Sequence, residues 1–202
     1  MEQGIERLGV MGGTFDPIHV GHLVAASEVA HVMRLDRVMF VPTGQPWQKE
    51  RYSDPEDRYM MTVLGVTHDS RFVVSRAELD RRGPTYTVDT MGVLRDFHGP
   101  GTDLLFIVGA DAAMRLDTWK GIEELAELAE LVAVTRPGTD LGALEPEPRW
   151  PKINIVEMPG IDVSATDIRA RVRAGKPIDY LVPPPVTRYI RERGLYLESA
   201  RV

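Results

Sequence analysis

Two histidines three residues apart, His19 and His22, follow a glycine pair in the run Met11-Gly12-Gly13-Thr14-Phe15-Asp16-Pro17-Ile18-His19-Val20-Gly21-His22. These residue types suit an anion rich in phosphate oxygens. Gly12 and Gly13 put no side chain between backbone and ligand. The N–H groups of Thr14 and Phe15 can then point at the anion, and a helix beginning near Gly21 adds unpaired donors and partial positive charge. The imidazoles of His19 and His22 can donate hydrogen bonds to phosphate oxygens. The same spacing also puts two possible metal ligands on one helix face. However, the chain has no cysteine, and His31, His68 and His98 are scattered, so no protein-held metal is expected. A glycine pair or a histidine pair alone is an ordinary turn or helix edge. The whole sequence of strand, glycine turn, histidines and helix is what points to nucleotide phosphate.

Other constellations are weaker when taken singly. Ser164, in Val163-Ser164-Ala165-Thr166-Asp167-Ile168-Arg169, can cap a helix and turn its first N–H groups toward an anion, with Arg169 about one turn on. Arg171 and Arg173 read as solvated. Gly109 and Asp111 follow the apolar run ending at Val108, where a carboxylate either caps a helix or accepts hydrogen bonds from ribose hydroxyls. The flat indole of Trp119 suits stacking on a flat ring. Gly83 to Thr90 reads as a turn with a threonine cap, and Val41 to Lys49 as a loop carrying one cation.

The elements that must position these residues alternate. Short apolar runs at Leu8–Met11, Arg37–Val41, Phe72–Ser75, Leu104–Val108, Leu131–Thr135 and Ile153–Glu157 read as buried parallel strands. Helices are expected over Gly21–Met33, Pro55–Val66, Val88–Phe97, Ala112–Thr118, Ile122–Glu130, Ala165–Ala174 and Pro185–Arg193, with Asp54 as a cap before Pro55. This alternation implies an α/β fold with a doubly wound parallel sheet, as a single domain over residues 1–202. Ligands of such sheets bind at the carboxyl ends of strands, so the loops after the first strand and after Val108 matter most. Pro137 to Lys152, rich in Pro, Gly and acid, reads as a surface loop. Gly-x-Gly-x-x-Gly is absent, against a dehydrogenase-type site.

Composition narrows the function classes. No apolar stretch approaches the roughly 20 residues of a membrane span, and the first residues lack the features of a secretory signal. Zero cysteines exclude disulfide and thiol chemistry, and a cytoplasmic location is expected. A net charge of −6 argues against a broad nucleic-acid footprint, but not against a small anionic substrate met by local cations.

From Gly9 to about Tyr196 the chain resembles nucleotidyltransferases with a (Thr/His)-x-Gly-His motif, here His19-Val20-Gly21-His22. Within them it is most similar to bacterial nicotinate-mononucleotide adenylyltransferases. That resemblance implies a Rossmann-like nucleotidyltransferase fold and transfer of the adenylyl group of ATP to nicotinate mononucleotide, with Mg²⁺ brought by the ATP. It implies His19, His22, Lys49 and Arg169 in catalysis, and Gly12, Gly13, Thr14, Phe15, Gly109, Asp111, Ser164, Thr166 and Arg169 around ATP. It places Lys49, Thr87, Trp119 and Arg136 around the mononucleotide. One departure is that Trp47 and Gln48 stand where the family commonly has Pro and His. The alternatives are an adenylyltransferase acting on nicotinamide mononucleotide or phosphopantetheine, or a non-catalytic nucleotide sensor. The segments around Thr87 and Trp119 favour a pyridine nucleotide. The set of cations and imidazoles favours an enzyme, because a sensor needs no transition-state donors.

Overall fold

The computed structural model describes residues 6–44, 53–139 and 147–197. The six apolar runs form six strands: β1 (Arg7–Gly13), β2 (Arg37–Pro42), β3 (Phe72–Val74), β4 (Asp103–Gly109), β5 (Glu130–Thr135) and β6 (Ile153–Glu157). Between and after them lie α1 (Val20–Val32), α2 (Pro55–Gly65), α3 (Thr87–His98), α4 (Ala110–Ala113), α5 (Ile122–Leu128), α6 (Ala165–Arg173) and α7 (Pro184–Arg193), with a 3-10 turn at Leu116–Thr118. The strands pair in parallel in the order β3-β2-β1-β4-β5-β6. Successive strands therefore wind outward in one direction from β1 and in the other from β4. Val10 of β1 lies opposite Met39 on one side and Phe106 on the other. The doubly wound Rossmann-like sheet expected from the alternation is the one found.

A strand period of two sorts the side chains onto two cores. Leu104, Phe106 and Val108 of β4 face Met91 and Leu94 of α3 and Leu125 of α5. Leu105 and Ile107 face the other way, into a core with Ala26 and Val29 of α1, Ile168 of α6 and Val186 and Ile190 of α7. Removing each large aliphatic side chain from water contributes about 1.5–3 kcal/mol. Both faces of the central strands β2, β1, β4 and β5 are covered, which is why these read as continuous apolar runs; the edge strand β6, expected to be buried, instead leaves Ile155 59% exposed.

Helix ends follow local chemistry. The Asp54 carboxylate accepts the N–H of Glu56 at 2.9 Å, and the Ser164 hydroxyl accepts that of Asp167 at 3.1 Å. The helix expected over Ala112–Thr118 is instead broken. Four residues of α4 end at Ala113, Arg115 leaves helical geometry (φ −124°, ψ 26°), and a 3-10 turn follows. The Thr118 hydroxyl and N–H both donate to the Arg115 carbonyl, at 2.7 and 3.0 Å, which closes the 3-10 turn. At the end of α5, Ala129 is already extended, so Glu130 enters β5 rather than the helix.

The loops at the carboxyl edge of the sheet are tied to one another. The Thr43 N–H donates to the Gly13 carbonyl at 2.9 Å. Arg58, fully buried on α2, donates to the carbonyls of Thr14 (3.0 Å), Gly44 (3.2 Å) and Ser53 (3.3 Å). A Cβ on Gly44 would lie 2.2 Å from the Glu78 carbonyl oxygen, so the backbones after β2 and β3 touch only because residue 44 has none.

Two glycine substitutions should move stability in opposite directions. Gly44→Ala forces the two loops apart and is expected to cost about 1–3 kcal/mol. Gly92, mid-helix in α3 with nothing within 4 Å of its would-be Cβ, should gain roughly 0.5–1 kcal/mol as Gly92→Ala. Urea unfolding of both variants against the parent measures the pair.

Candidate active site

The cleft opens where β1 and β4 part. It has a volume of about 850 Å³ and lies across the carboxyl ends of β1, β4 and β5. Gly12, Gly13, Thr14, His19 and His22 line it from the β1 side, and Gly109, Asp111 and Trp119 from the β4 side. Arg136 and Ser164 close the β5–β6 side, Glu78 and Thr85 come from the segment between β3 and α3, and Thr87 from the start of α3. Residues far apart in sequence are thus gathered on one surface.

The glycine pair has a packing reason as well as an expected binding one. A Cβ at Gly13 would come within 2.9 Å of the Phe15 ring, and one at Gly12 within 3.1 Å of the Phe106 ring. Phe15 is buried beneath the loop with φ 49°, and its edge meets the His22 ring at a centroid distance of 5.1 Å. Phe106 also carries Trp119, edge to face at 6.0 Å. One aromatic floor therefore supports both the glycine turn and the indole.

His19 is the N-cap of α1, and its ring stacks on that of His22 with centroids 3.8 Å apart. A Cβ on Gly21 would touch the His19 ring at 3.1 Å, so the stack needs glycine between the two histidines. The His19 N–H donates to Nδ1 of His22 at 3.3 Å. With Nδ1 as acceptor, the proton of neutral His22 sits on Nε2, which makes Nε2 a donor. Burial, and then the charge of Arg136, push the His19 pKa down to about 4. His22 keeps an open side, yet the packing around its ring and the neighbouring His19 hold its pKa well below the usual histidine range. Both imidazoles are neutral at pH 7. The helix amides offer less than the sequence implies: Val20 N–H is taken by the Leu181 carbonyl and His22 N–H by the His19 carbonyl, each at 3.0 Å.

The other expected residues fall in different places. Ser164 caps α6 at the cleft edge. Thr166 and Arg169 lie beside the cleft rather than on its lining: Arg169 Nη1 donates to the Asp16 carbonyl at 2.8 Å and Nη2 to the Thr166 hydroxyl at 3.3 Å. Arg136 is exposed at the rim, 3.8 Å from Asp162. Asp111 is exposed in the first turn of α4, whose N-cap is Gly109. Thr87 is the first residue of α3, after the N-cap Tyr86, whose side chain makes no capping bond. Lys49, Trp47 and Gln48 lie outside the described residues.

Sequence reasoning missed Glu78, Thr85, Asp16, Arg58 and Tyr196. Glu78 is buried at the cleft wall, accepts the Thr90 hydroxyl at 2.8 Å, and has its pKa raised by burial. Asp16 stood inside the histidine motif, where position alone marked it. Nothing in the sequence marks the others, because their partners come from other elements. Among the described residues no group of three or more His, Asp or Glu side chains is placed to hold a metal, and no helix is long and apolar enough to cross a membrane.

Residues 10–171 match the cytidylyltransferase-like family. A protein named probable nicotinate-nucleotide adenylyltransferase from Corynebacterium kroppenstedtii is 54% identical over 198 residues, covering 97% of this chain and 93% of that one. One of the same name from Streptomyces coelicolor is 54% identical over 193 residues, covering 92% and 98%. The structure of Plasmodium falciparum nicotinic acid mononucleotide adenylyltransferase complexed with APC superposes with a TM-score of 0.77 at 18% identity, over 95% of this chain and 97% of that one. That likeness is one of fold.

The lowered histidine pKa has a signed consequence. Between about pH 4 and 6.5 the unfolded chain binds a proton at residue 19 that the folded one does not, so stability falls as pH drops through that window and returns as it rises. At about 1.4 kcal/mol per pH unit the loss is on the order of 3 kcal/mol. Urea unfolding at stepped pH should show this acid limb in the ligand-free parent, and a shallower one in His19→Asn.

Proposed function

We infer that this chain, which belongs to the cytidylyltransferase-like family, is a nicotinate-nucleotide adenylyltransferase: it transfers the adenylyl group of ATP to nicotinate mononucleotide, giving deamido-NAD and pyrophosphate. The observation that carries this is identity above half, over nearly the whole chain, to proteins of that name, on a fold whose switch-point cleft gathers imidazoles, glycine turns and an indole. It is a soluble enzyme of the cytoplasm in this reading, supported by the absence of cysteine.

The phosphate of the mononucleotide attacks the α-phosphorus of ATP in line. The bond to the bridging oxygen breaks, and pyrophosphate leaves with those electrons. The attacking oxygen is already anionic, so no protein nucleophile and no general base is required. The chain's contribution is to align two repelling anions and to stabilise charge at the transferring phosphorus. His22 Nε2–H and His19 serve the transferring phosphate, with the backbone of Gly12 to Phe15 around it. Gly109 and Asp111 hold the adenosine, Ser164, Thr166 and Arg169 the β and γ phosphates, and Lys49 and Arg136 the mononucleotide phosphate. Trp119 stacks on the pyridine, and Thr87 with the uncapped amides of α3 meets its carboxylate. Mg²⁺ would come as part of the ATP substrate and supply charge neutralisation at its phosphates, a role that asks for no protein cage.

His22→Ala should lower kcat by about 10²–10³ with a much smaller change in KM for ATP, because a donor of this kind acts on transition-state charge. Steady-state pyrophosphate release decides it, and a folded variant with near-normal kcat removes His22 from the mechanism.

Substrate choice gives the second test. Donors aimed at a carboxylate meet the NH₂ of nicotinamide without a partner, at about 1–3 kcal/mol for each buried mismatch. Nicotinate mononucleotide should therefore be preferred by kcat/KM by 10²-fold or more, at about 1.4 kcal/mol per factor of ten. Trp119→Ala should weaken both mononucleotides alike, since the indole reads the ring and not its substituent. Equal use of both by the parent would refute the carboxylate pocket.

A further inference from the structure

Asp16 lies between β1 and α1, only 1% exposed, and three distant segments meet on it. Its Oδ1 accepts the Tyr196 hydroxyl at 2.6 Å. Its Oδ2 accepts the N–H of Ser53 at 3.0 Å. Its carbonyl accepts Arg169 Nη1 at 2.8 Å. Ser53 directly follows the segment that contains Lys49, Arg169 belongs to α6, and Tyr196 follows α7. One buried carboxylate thus joins four parts of the chain, three of which carry residues assigned to the two substrates.

We propose that Tyr196 is a positioning residue for adenylyl transfer: through its hydrogen bond to Asp16 it holds the loop that carries His19 and His22, and the guanidinium of Arg169, in reacting geometry. The proposal rests on the function assigned above.

Tyr196 is not one of the residues that line the cleft, and its own backbone is held at φ 65°, a conformation tyrosine rarely adopts. The preceding Leu195 N–H is pinned to the Ile190 carbonyl at 3.0 Å, which turns the chain back toward Met61 and Asp16. Burial and the Asp16 charge keep the phenol protonated, so it stays a donor. The neighbour of Asp16, Phe15, has its ring against both Gly13 and His22. A shift of Asp16 is therefore passed to the imidazole on one side and to Arg169 on the other. Without the phenol a buried carboxylate oxygen loses its donor, and the loop must move or admit water to satisfy it.

The experiment is a double-mutant cycle on turnover of ATP with nicotinate mononucleotide, read as separate kcat and KM values beside thermal melting. Tyr196→Phe keeps the ring and should lower kcat about tenfold while KM for the mononucleotide stays within about twofold, a loss of one buried hydrogen bond. Asp16→Asn should lower kcat at least as much. The double variant should be within about twofold of Asp16→Asn alone, because the phenol acts only through that carboxylate. A Tyr196→Phe enzyme with parental kcat, losses that multiply in the double variant, or a melting shift with no change in kcat would each overturn the proposal. Should Tyr196→Phe not fold, an Asp16→Asn enzyme with parental kcat overturns it equally. If the parent itself releases no pyrophosphate from these substrates, the functional assignment fails rather than the role of Tyr196.

Discussion

A loop at the mouth of a cleft can serve as a rigid template only if its backbone groups are claimed by something buried. Here Arg58 does this. Its guanidinium, inside α2's packing, donates to carbonyls of the loop after β1, the loop after β2 and the segment entering α2. A planar fork of fixed donors can span three carbonyls where a lysine ammonium offers one point charge. Surface loops are ordinarily the most mobile part of a domain, whereas donors that stabilise a transition state must be in place before reaction. The glycine turn and Phe15 lie on either side of Thr14, whose carbonyl this clamp holds.

The electrostatics follow from the same packing. The chain carries a net charge of −6, yet its substrates are polyanions. Among the described residues, two neutral imidazoles stand where the cleft meets the glycine turn. Burial holds His19 and His22 neutral, with Arg136 adding to the effect on His19 and His19 to that on His22. A nearby anion favours the imidazolium, so an arriving phosphate pulls both pKa values back up. Neutral donors in the empty site avoid the cost of a buried, unpaired charge, and become stronger donors as negative charge gathers against them.

The aromatic floor joins two walls of the cleft. Phe106, on β4, packs under Gly12 of the glycine turn and against Trp119. Its ring faces the α3 and α5 core, so the packing of that core sets the spacing between the two. The broken helix between α4 and the 3-10 turn brings Trp119 to this place. A continuous helix over Ala112–Thr118 would have pointed the following residue elsewhere.

The sequence by itself determined whatever depends on short-range order. Six apolar runs of period-two or continuous character set six strands, and Asp54 and Ser164 set two helix starts by bonding amides two or three residues on. The histidine motif could be read as a candidate phosphate site because all its parts lie within 12 residues. Only the tertiary structure decided how those parts are held. Arg58 meets Thr14 across 44 residues, and Tyr196 meets Asp16 across 180. No local propensity encodes such pairs, since the contact exists only after the sheet has ordered β1 beside β4 and α7 has packed on α2. The same holds for the neutrality of the histidines, a property of the packing around them and not of the residues.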